Sequence, residues 1–181
     1  MPPPSEVPEP WGQFLRDLDA ELGEEVCLSC VGGFAMTLQY GLARQTSDID
    51  VLEIAPFNQL QIVLAAAGMG SRLYKQHGLY VQHVAIMTLP EDSGDRRIEL
   101  FPNHYERLRL FGLDPYDLAL SKLERNSQVD RDDIKYLFRT IPLDLDVLER
   151  RYQTEQRPYL SNEARHDQTM SLWRGMLVEE R

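Results

Sequence analysis

Apolar side chains recur at two different spacings along this 181-residue chain, and the change between them divides it into two parts. Up to about residue 112, short apolar runs of strand length alternate with stretches whose apolar residues recur every three or four positions, as on one face of a helix. Gly41 and Gly68 follow two of these stretches, as is typical of helix ends. The predicted helices cover residues 11–22, 34–40 and 56–67, and the predicted strands cover residues 26–31, 49–54, 80–86, 97–101 and 107–111.

From Asp114 onward the apolar spacing is helical. Asp114 followed by Pro115 indicates a helix start, because a carboxylate can cap the first turn and proline is favoured there. The pattern therefore predicts an α/β (α+β) fold, in which a mixed β-sheet flanked by helices precedes a C-terminal helical region. The predicted divisions are a flexible proline-rich tail over residues 1–10, a core over 11–112 and the helical region over 113–181, with helices at 116–124, 131–138, 143–153 and 162–178.

The composition is that of an ordinary globular protein. Hydrophobic residues make up 43% of the chain, which is enough for a core, and no apolar run approaches the roughly 20 residues of a membrane span. The N-terminus has no basic segment before an apolar stretch, so we expect no signal peptide and a cytoplasmic location. Cys27 and Cys30 have CxxC spacing, but they lie in a predicted strand and face opposite sides, which favours two small apolar residues over a redox or zinc pair.

The formal net charge of −10 argues against a broad nucleic-acid footprint, because non-specific RNA binding depends on lysine and arginine. An RNA partner therefore requires the basic residues to form a local patch. These residues are Arg96, Arg97, Arg107, Arg109, Lys122 and Arg125.

The chemistry predicted from the residues themselves centres on a glycine pair and two aspartates. Gly32 and Gly33 follow a strand and open a helix, so they either let phosphate approach the backbone N–H groups or simply make a tight turn. Asp48 and Asp50 project from the same face of the next strand, where their charges repel unless a cation lies between them. Two carboxylates together with substrate phosphates suit Mg²⁺, and the alternative is a strand end with two solvated acids.

Two motifs carry a resemblance to a known superfamily. The glycine pair, a spacer and Asp48-Ile49-Asp50 resemble the signature of the DNA polymerase β-like nucleotidyltransferases. The fuller run from Val31 to Met36, with Gly41, Arg44, Thr46 and Ser47, is similar to the AbiEii/MenT-type toxin branch and its uncharacterised relatives. A second run, Asp114 to Leu123 followed by Arg125, Asp130 and Asp133, resembles the helical motif that follows the catalytic sheet in this group.

This resemblance implies metal-dependent transfer of a nucleoside monophosphate from an NTP to a hydroxyl group. Two Mg²⁺ ions would lie between Asp48, Asp50 and the triphosphate, and the implied acceptor is an RNA 3′ end such as that of tRNA, with an antitoxin as a possible partner. One alternative is a protein or small-molecule acceptor, and the acidic charge fits a cationic aminoglycoside better than RNA. Another is a non-catalytic module that binds a nucleotide or a partner.

The resemblance also implies roles for single residues, each with a plainer alternative. Ser47 either bonds phosphate or caps a turn, and Arg44 either contacts phosphate or pairs with a surface acid. Glu99 is the candidate third metal ligand, or else an ordinary outward-facing strand residue. The implied phosphate-binding residues are Gly32, Gly33, Arg44, Ser47, Lys122 and Arg125.

Lys122 is implied as a catalytic residue that neutralises the departing phosphates. Its plainer alternative is a solvated helix face with local ion pairing. Asp133, like Asp130, is implied either to position Lys122 or Arg125 or to help a base role. The sequence leaves open which of Asp130, Asp132 and Asp133 belongs to the site.

Overall fold

The computed structural model describes residues 6–44 and 46–179. It divides the chain into two compact units: the first ends at Gly112 and lacks residues 87–96, which belong with the helices of the second unit. Hydrogen bonds explain this grouping, since the carbonyl of Thr88 accepts from Gln156 at 2.7 Å. The first five residues of the predicted tail lie outside the described residues. Residues 6–10 form no helix or strand, and Val7 among them is buried.

A five-stranded mixed sheet organises the first unit, which confirms the predicted fold class. The strand order is β3-β2-β1-β5-β4. Strand β1 is antiparallel to β2 and parallel to β5, β2 is parallel to β3, and β4 is antiparallel to β5. The strands are β1 (Val26–Cys30), β2 (Asp48–Ala55), β3 (Tyr80–His83), β4 (Ile98–Leu100) and β5 (Leu108–Gly112).

The helices of the first unit agree with the apolar spacing in two cases and depart from it in two. Gly41 ends the second helix in the left-handed conformation, at φ 71°, as its position predicted. The helix predicted over residues 56–67 is a 3-10 turn at Phe57–Gln59 followed by an α-helix, and a short helix capped by Ser71 was missed. These helices are α1 (Trp11–Glu21), α2 (Gly32–Tyr40), α3 (Leu60–Ala67) and α4 (Arg72–His77).

The sheet has one buried apolar face and one polar face. Ile49 and Val51 are fully buried, so the alternation along β2 directs Asp48 and Asp50 to the other side. In the strand register, Ser29 of β1 lies beside Glu53 of β2 on one side and Phe111 of β5 on the other. These pairs extend the same face across the sheet. We call it the polar face, and it carries Ser29, Asp48, Asp50, Glu53, Tyr80, Gln82, Glu99 and Phe111.

The second unit is helical, as predicted. Asp114 caps its first α-helix by accepting the backbone N–H of Asp117 at 2.9 Å. That helix ends at Leu120, four residues before the predicted end, and Lys122 lies in the turn that follows. No helix in the described part of the chain is long and apolar enough to cross a membrane. The helices are α5 (Pro115–Leu120), α6 (Gln128–Thr140), α7 (Leu145–Arg151), a π-helical segment (Tyr152–Gln156), a 3-10 turn (Arg157–Tyr159) and α8 (Glu163–Glu179).

Candidate functional site

The glycine pair brings the backbone against the side chains of two residues from the predicted site. Gly32 has φ +68°, a conformation that side-chain-bearing residues rarely adopt, and a Cβ there would collide with the carboxylate of Asp50. A Cβ on Gly33 would lie 2.7 Å from a guanidinium nitrogen of Arg44. Gly32 is therefore needed for this close approach, whereas the flexible Arg44 side chain could move away from a Cβ at Gly33, and the structure brings Gly32, Gly33, Arg44 and Asp50 together.

Asp48 and Asp50 are both partly exposed at the start of β2. The hydroxyl of Thr46 donates a hydrogen bond to the carboxylate of Asp48. Burial, followed by the charges of Asp48 and Asp50, raises the pKa of the neighbouring Tyr80. Burial and the charge of Asp50 also raise the pKa of the Cys30 thiol to about 12. The two carboxylates thus create a negative field around the glycine turn, which is the electrostatic condition for cation binding.

Ser47 directly precedes these acids, and its backbone helps to start the sheet. Its carbonyl accepts the N–H of Tyr80 at 3.0 Å, while the residue itself is exposed. The serine therefore lies next to the carboxylates in sequence and is exposed, so that its hydroxyl is accessible to a ligand.

Glu99 is the site residue of the first unit that the structure does not bring to the aspartates. It lies on β4, three strand spacings from β2, or about 14 Å across the sheet. In residues 6–44 and 46–179, no three His, Cys, Asp or Glu side chains are grouped so that they could hold a metal ion. Strand order, which the sequence did not reveal, separates Glu99 from the pair.

Lys122 and Asp133 form a buried ion pair in the second unit. The Lys122 Nζ donates to the Asp133 carboxylate at 2.7 Å and lies 3.8 Å from Asp130, and the three side chains are 4%, 2% and 0% exposed. Lys122 is therefore not on a solvated helix face, which was the plainer prediction. Asp132 is exposed and bonds Gln128, so the structure separates it from the other two aspartates.

Asp130 is held ionised by a second cation. Burial alone would raise the pKa of Asp130, but hydrogen bonds from Arg125 and Ser127 outweigh that effect and lower the pKa to about 2. Arg125 makes two of these bonds, at 2.8 and 2.6 Å, while its side chain remains 68% exposed. The helical motif thus contains two cations and two buried carboxylates in one connected group.

The sequence matches, over residues 13–179, a family described as a nucleotidyltransferase of unknown function, DUF6036. The chain belongs to this family. Membership confirms the predicted nucleotidyltransferase superfamily. It supports a nucleotide substrate and nucleotidyl transfer as the general reaction type. The resemblance to the AbiEii/MenT-type branch stays a prediction. No curated protein and no solved structure matches the sequence.

Two residues beside the aspartates of this nucleotidyltransferase were missed by sequence reasoning. Tyr80 pairs with Asp48, and Gln82 pairs with Asp50, in the parallel register of β2 and β3. The alternation of apolar and polar residues over residues 80–86 predicted a strand. That pattern did not indicate which strand would be its neighbour in the sheet. The contact follows from tertiary pairing alone.

Most of the predicted basic patch is neutralised by neighbouring carboxylates. In the first unit, three arginines have a carboxylate within 3.3 Å, and Arg96 of the second unit bonds Asp117 and Glu155. These pairings reduce the positive charge available to a nucleic-acid backbone. The pairs of the first unit are Arg97–Glu53, Arg107–Glu106 and Arg109–Glu25.

Proposed function

We propose that this nucleotidyltransferase transfers a nucleoside monophosphate from an NTP to a hydroxyl group, with Mg²⁺ held by Asp48 and Asp50. The close approach of the Gly32 backbone to the Asp50 carboxylate carries this proposal. It supports a site in which phosphate on the N–H groups at the start of α2 would lie directly beside the carboxylates.

The residues present fit a Mg²⁺ site that is completed by substrate. Mg²⁺ is often bound through one or two carboxylates, with phosphate oxygens and water as the remaining ligands, so a third protein carboxylate is not required. When bound, Mg²⁺ acts as a Lewis acid on the phosphoryl oxygens. The family resemblance implies two such ions between Asp48, Asp50 and the triphosphate.

The remaining side chains of the first unit bind and orient the triphosphate in this proposal. Arg44, whose guanidinium lies next to Gly33, supplies a positive charge beside the glycine turn. The exposed Ser47 supplies a hydroxyl donor. The carboxylates of Asp48 and Asp50 keep the turn selective for a phosphate that arrives with a cation, because a bare phosphate would meet their negative charge.

The resemblance implies that Lys122, Asp133 and Arg125 take part in the reaction, and the contacts within the second unit support a positioning role for Lys122 and Asp133 and a ligand-contacting role for Arg125. The Lys122 amino group already donates to Asp133, and both side chains are buried. Arg125 is anchored through Asp130 yet is largely exposed, so it can reach a ligand while remaining oriented.

The resemblance supports an RNA 3′ end, such as that of tRNA, as the acceptor, and an antitoxin as a partner. The paired arginines and the net charge of −10 instead favour a cationic acceptor, either a protein or an aminoglycoside-like small molecule. Salt would weaken the binding of either acceptor, because both attractions are between opposite charges, so the identity of the labelled acceptor is what separates the two classes.

One experiment tests the function and sorts the acceptors. The protein is incubated with each α-³²P-labelled NTP and Mg²⁺, with total RNA, a protein extract or an aminoglycoside as acceptor. Asp48→Asn and samples with EDTA are the controls. Metal-dependent label in one acceptor, absent from the variant, supports the proposal. A folded wild type that labels none of them is a non-catalytic binding module.

A further inference from the structure

An arginine lies over an aromatic ring on the polar face. The Arg97 guanidinium carbon is 5.4 Å from the centroid of the Phe111 ring. Its Nη1 donates to the Glu53 carboxylate at 2.8 Å and to the Ser29 hydroxyl at 3.0 Å. Residues from three strands, β1, β2 and β5, thus contact one guanidinium group, and the Arg97 side chain remains 35% exposed.

This guanidinium shares a sheet face with the proposed catalytic pair. Phe111 lies on β5, two strand spacings or about 10 Å from β2, and Glu53, which holds Arg97, lies on β2 itself. An NTP with its phosphates at Asp50 can extend its nucleoside along this face.

We propose that Arg97, supported by Phe111, is a stacking platform for the nucleobase of the NTP, an inference that rests on the proposed function. The guanidinium carbon lies over the Phe111 ring and the side chain is 35% exposed, so the planar group can accept a flat ligand, and bases stack on guanidinium planes. Glu53 and Ser29 act as positioning residues, since their hydrogen bonds stop the guanidinium from rotating. Stacking accepts every base, so we expect little discrimination among the four NTPs.

The competing explanation is an ordinary surface ion pair that holds β4 to the sheet. Such a pair would affect stability modestly and would not distinguish a ligand with a base from one without. The contribution of the base to affinity is therefore the quantity to measure.

Calorimetry with two ligands isolates this contribution. Dissociation constants are measured for Mg²⁺-ATP and for Mg²⁺-tripolyphosphate, which lacks the nucleoside, on the wild type and on Arg97→Ala. Arg107→Ala is the matched control, because it removes a surface arginine that is also paired with a glutamate. We expect Arg97→Ala to weaken ATP binding about tenfold or more and to leave tripolyphosphate binding unchanged, whereas Arg107→Ala changes neither.

Two further variants separate stacking from charge. Arg97→Lys keeps the charge but lacks the planar guanidinium group. Like Arg97→Ala, it should no longer bind ATP more tightly than tripolyphosphate. Phe111→Leu keeps an apolar side chain but removes the ring beside Arg97. The difference in affinity between ATP and tripolyphosphate should therefore decrease without disappearing.

Several outcomes overturn the inference. An unchanged ATP advantage in Arg97→Ala excludes the platform, and so does an equal loss for both ligands, which would indicate a phosphate contact or a distorted fold. A wild type that binds neither ligand removes the proposed function as well. A wild type that binds both ligands equally removes the platform alone.

Discussion

Replacing Lys122 by methionine tests whether the buried ion pair stabilises the fold. Methionine matches lysine in length and carries no charge, so the change leaves Asp133 buried at 2% exposure without its 2.7 Å partner. At that distance the gross attraction is about 6 kcal/mol for an effective dielectric constant of about 20. Desolvation offsets part of this, and breaking buried pairs typically costs about 3–5 kcal/mol, which is the expected loss in the free energy of unfolding.

Urea unfolding followed by circular dichroism measures the loss, and two variants control it. Asp132→Asn removes an exposed acid from the same helix and should change stability by no more than about 0.5 kcal/mol. The double variant Lys122→Met/Asp133→Leu removes both charges and should recover much of the loss. A Lys122→Met protein that is destabilised by less than about 1 kcal/mol would refute the stabilising role of the buried pair.

Four further predictions concern the glycine turn, the carboxylates and Asp130. Asp48→Asn or Asp50→Asn should abolish transfer of α-³²P label without unfolding the protein, and near wild-type labelling would refute the metal site. Mg²⁺ with NTP should raise the thermal midpoint of the wild type but not of Asp48→Asn, and equal shifts would place the nucleotide elsewhere. Gly32→Ala should weaken NTP binding in calorimetry and lower stability by about 1–2 kcal/mol, because of its φ and its contact with Asp50. Gly23→Ala, with open space around its Cβ, should change NTP affinity little. The pKa of Asp130 is about 2 in the folded protein and about 3.9 in the unfolded chain. This difference adds about 2–3 kcal/mol to the free energy of unfolding above pH 4, and the contribution is lost as the pH falls towards 2. Urea midpoints at pH 7, 4 and 2.5 should show a smaller loss in Asp130→Asn.

Sequence reasoning succeeded where a structural feature depends on neighbouring residues. The alternation around Ile49 placed Asp48 and Asp50 on one face of a strand, and the buried residues of β2 confirm that face. Gly41 and Asp114 marked a helix end and a helix start correctly, because each acts on its own backbone within one turn.

Prediction from the sequence was less accurate for short helices and for strand ends. Helix α4 and the 3-10 turn at Phe57–Gln59 are too short to show a full apolar period, so the pattern missed one and merged the other into a longer helix. The strand predicted over residues 80–86 ends at His83, where its pairing with β2 ends. Such boundaries are fixed by the partner strand.

The sequence by itself determined the mixed fold class with its C-terminal helical region and the shared face of the two aspartates, because periodicity and capping are local. Strand order is not local, so tertiary structure alone decided that Glu99 lies three strands from the aspartates and that Arg97 lies over Phe111. The burial of Lys122 depended in the same way on the packing of a turn. Local spacing sets which way a side chain faces, and long-range packing sets which side chains it meets.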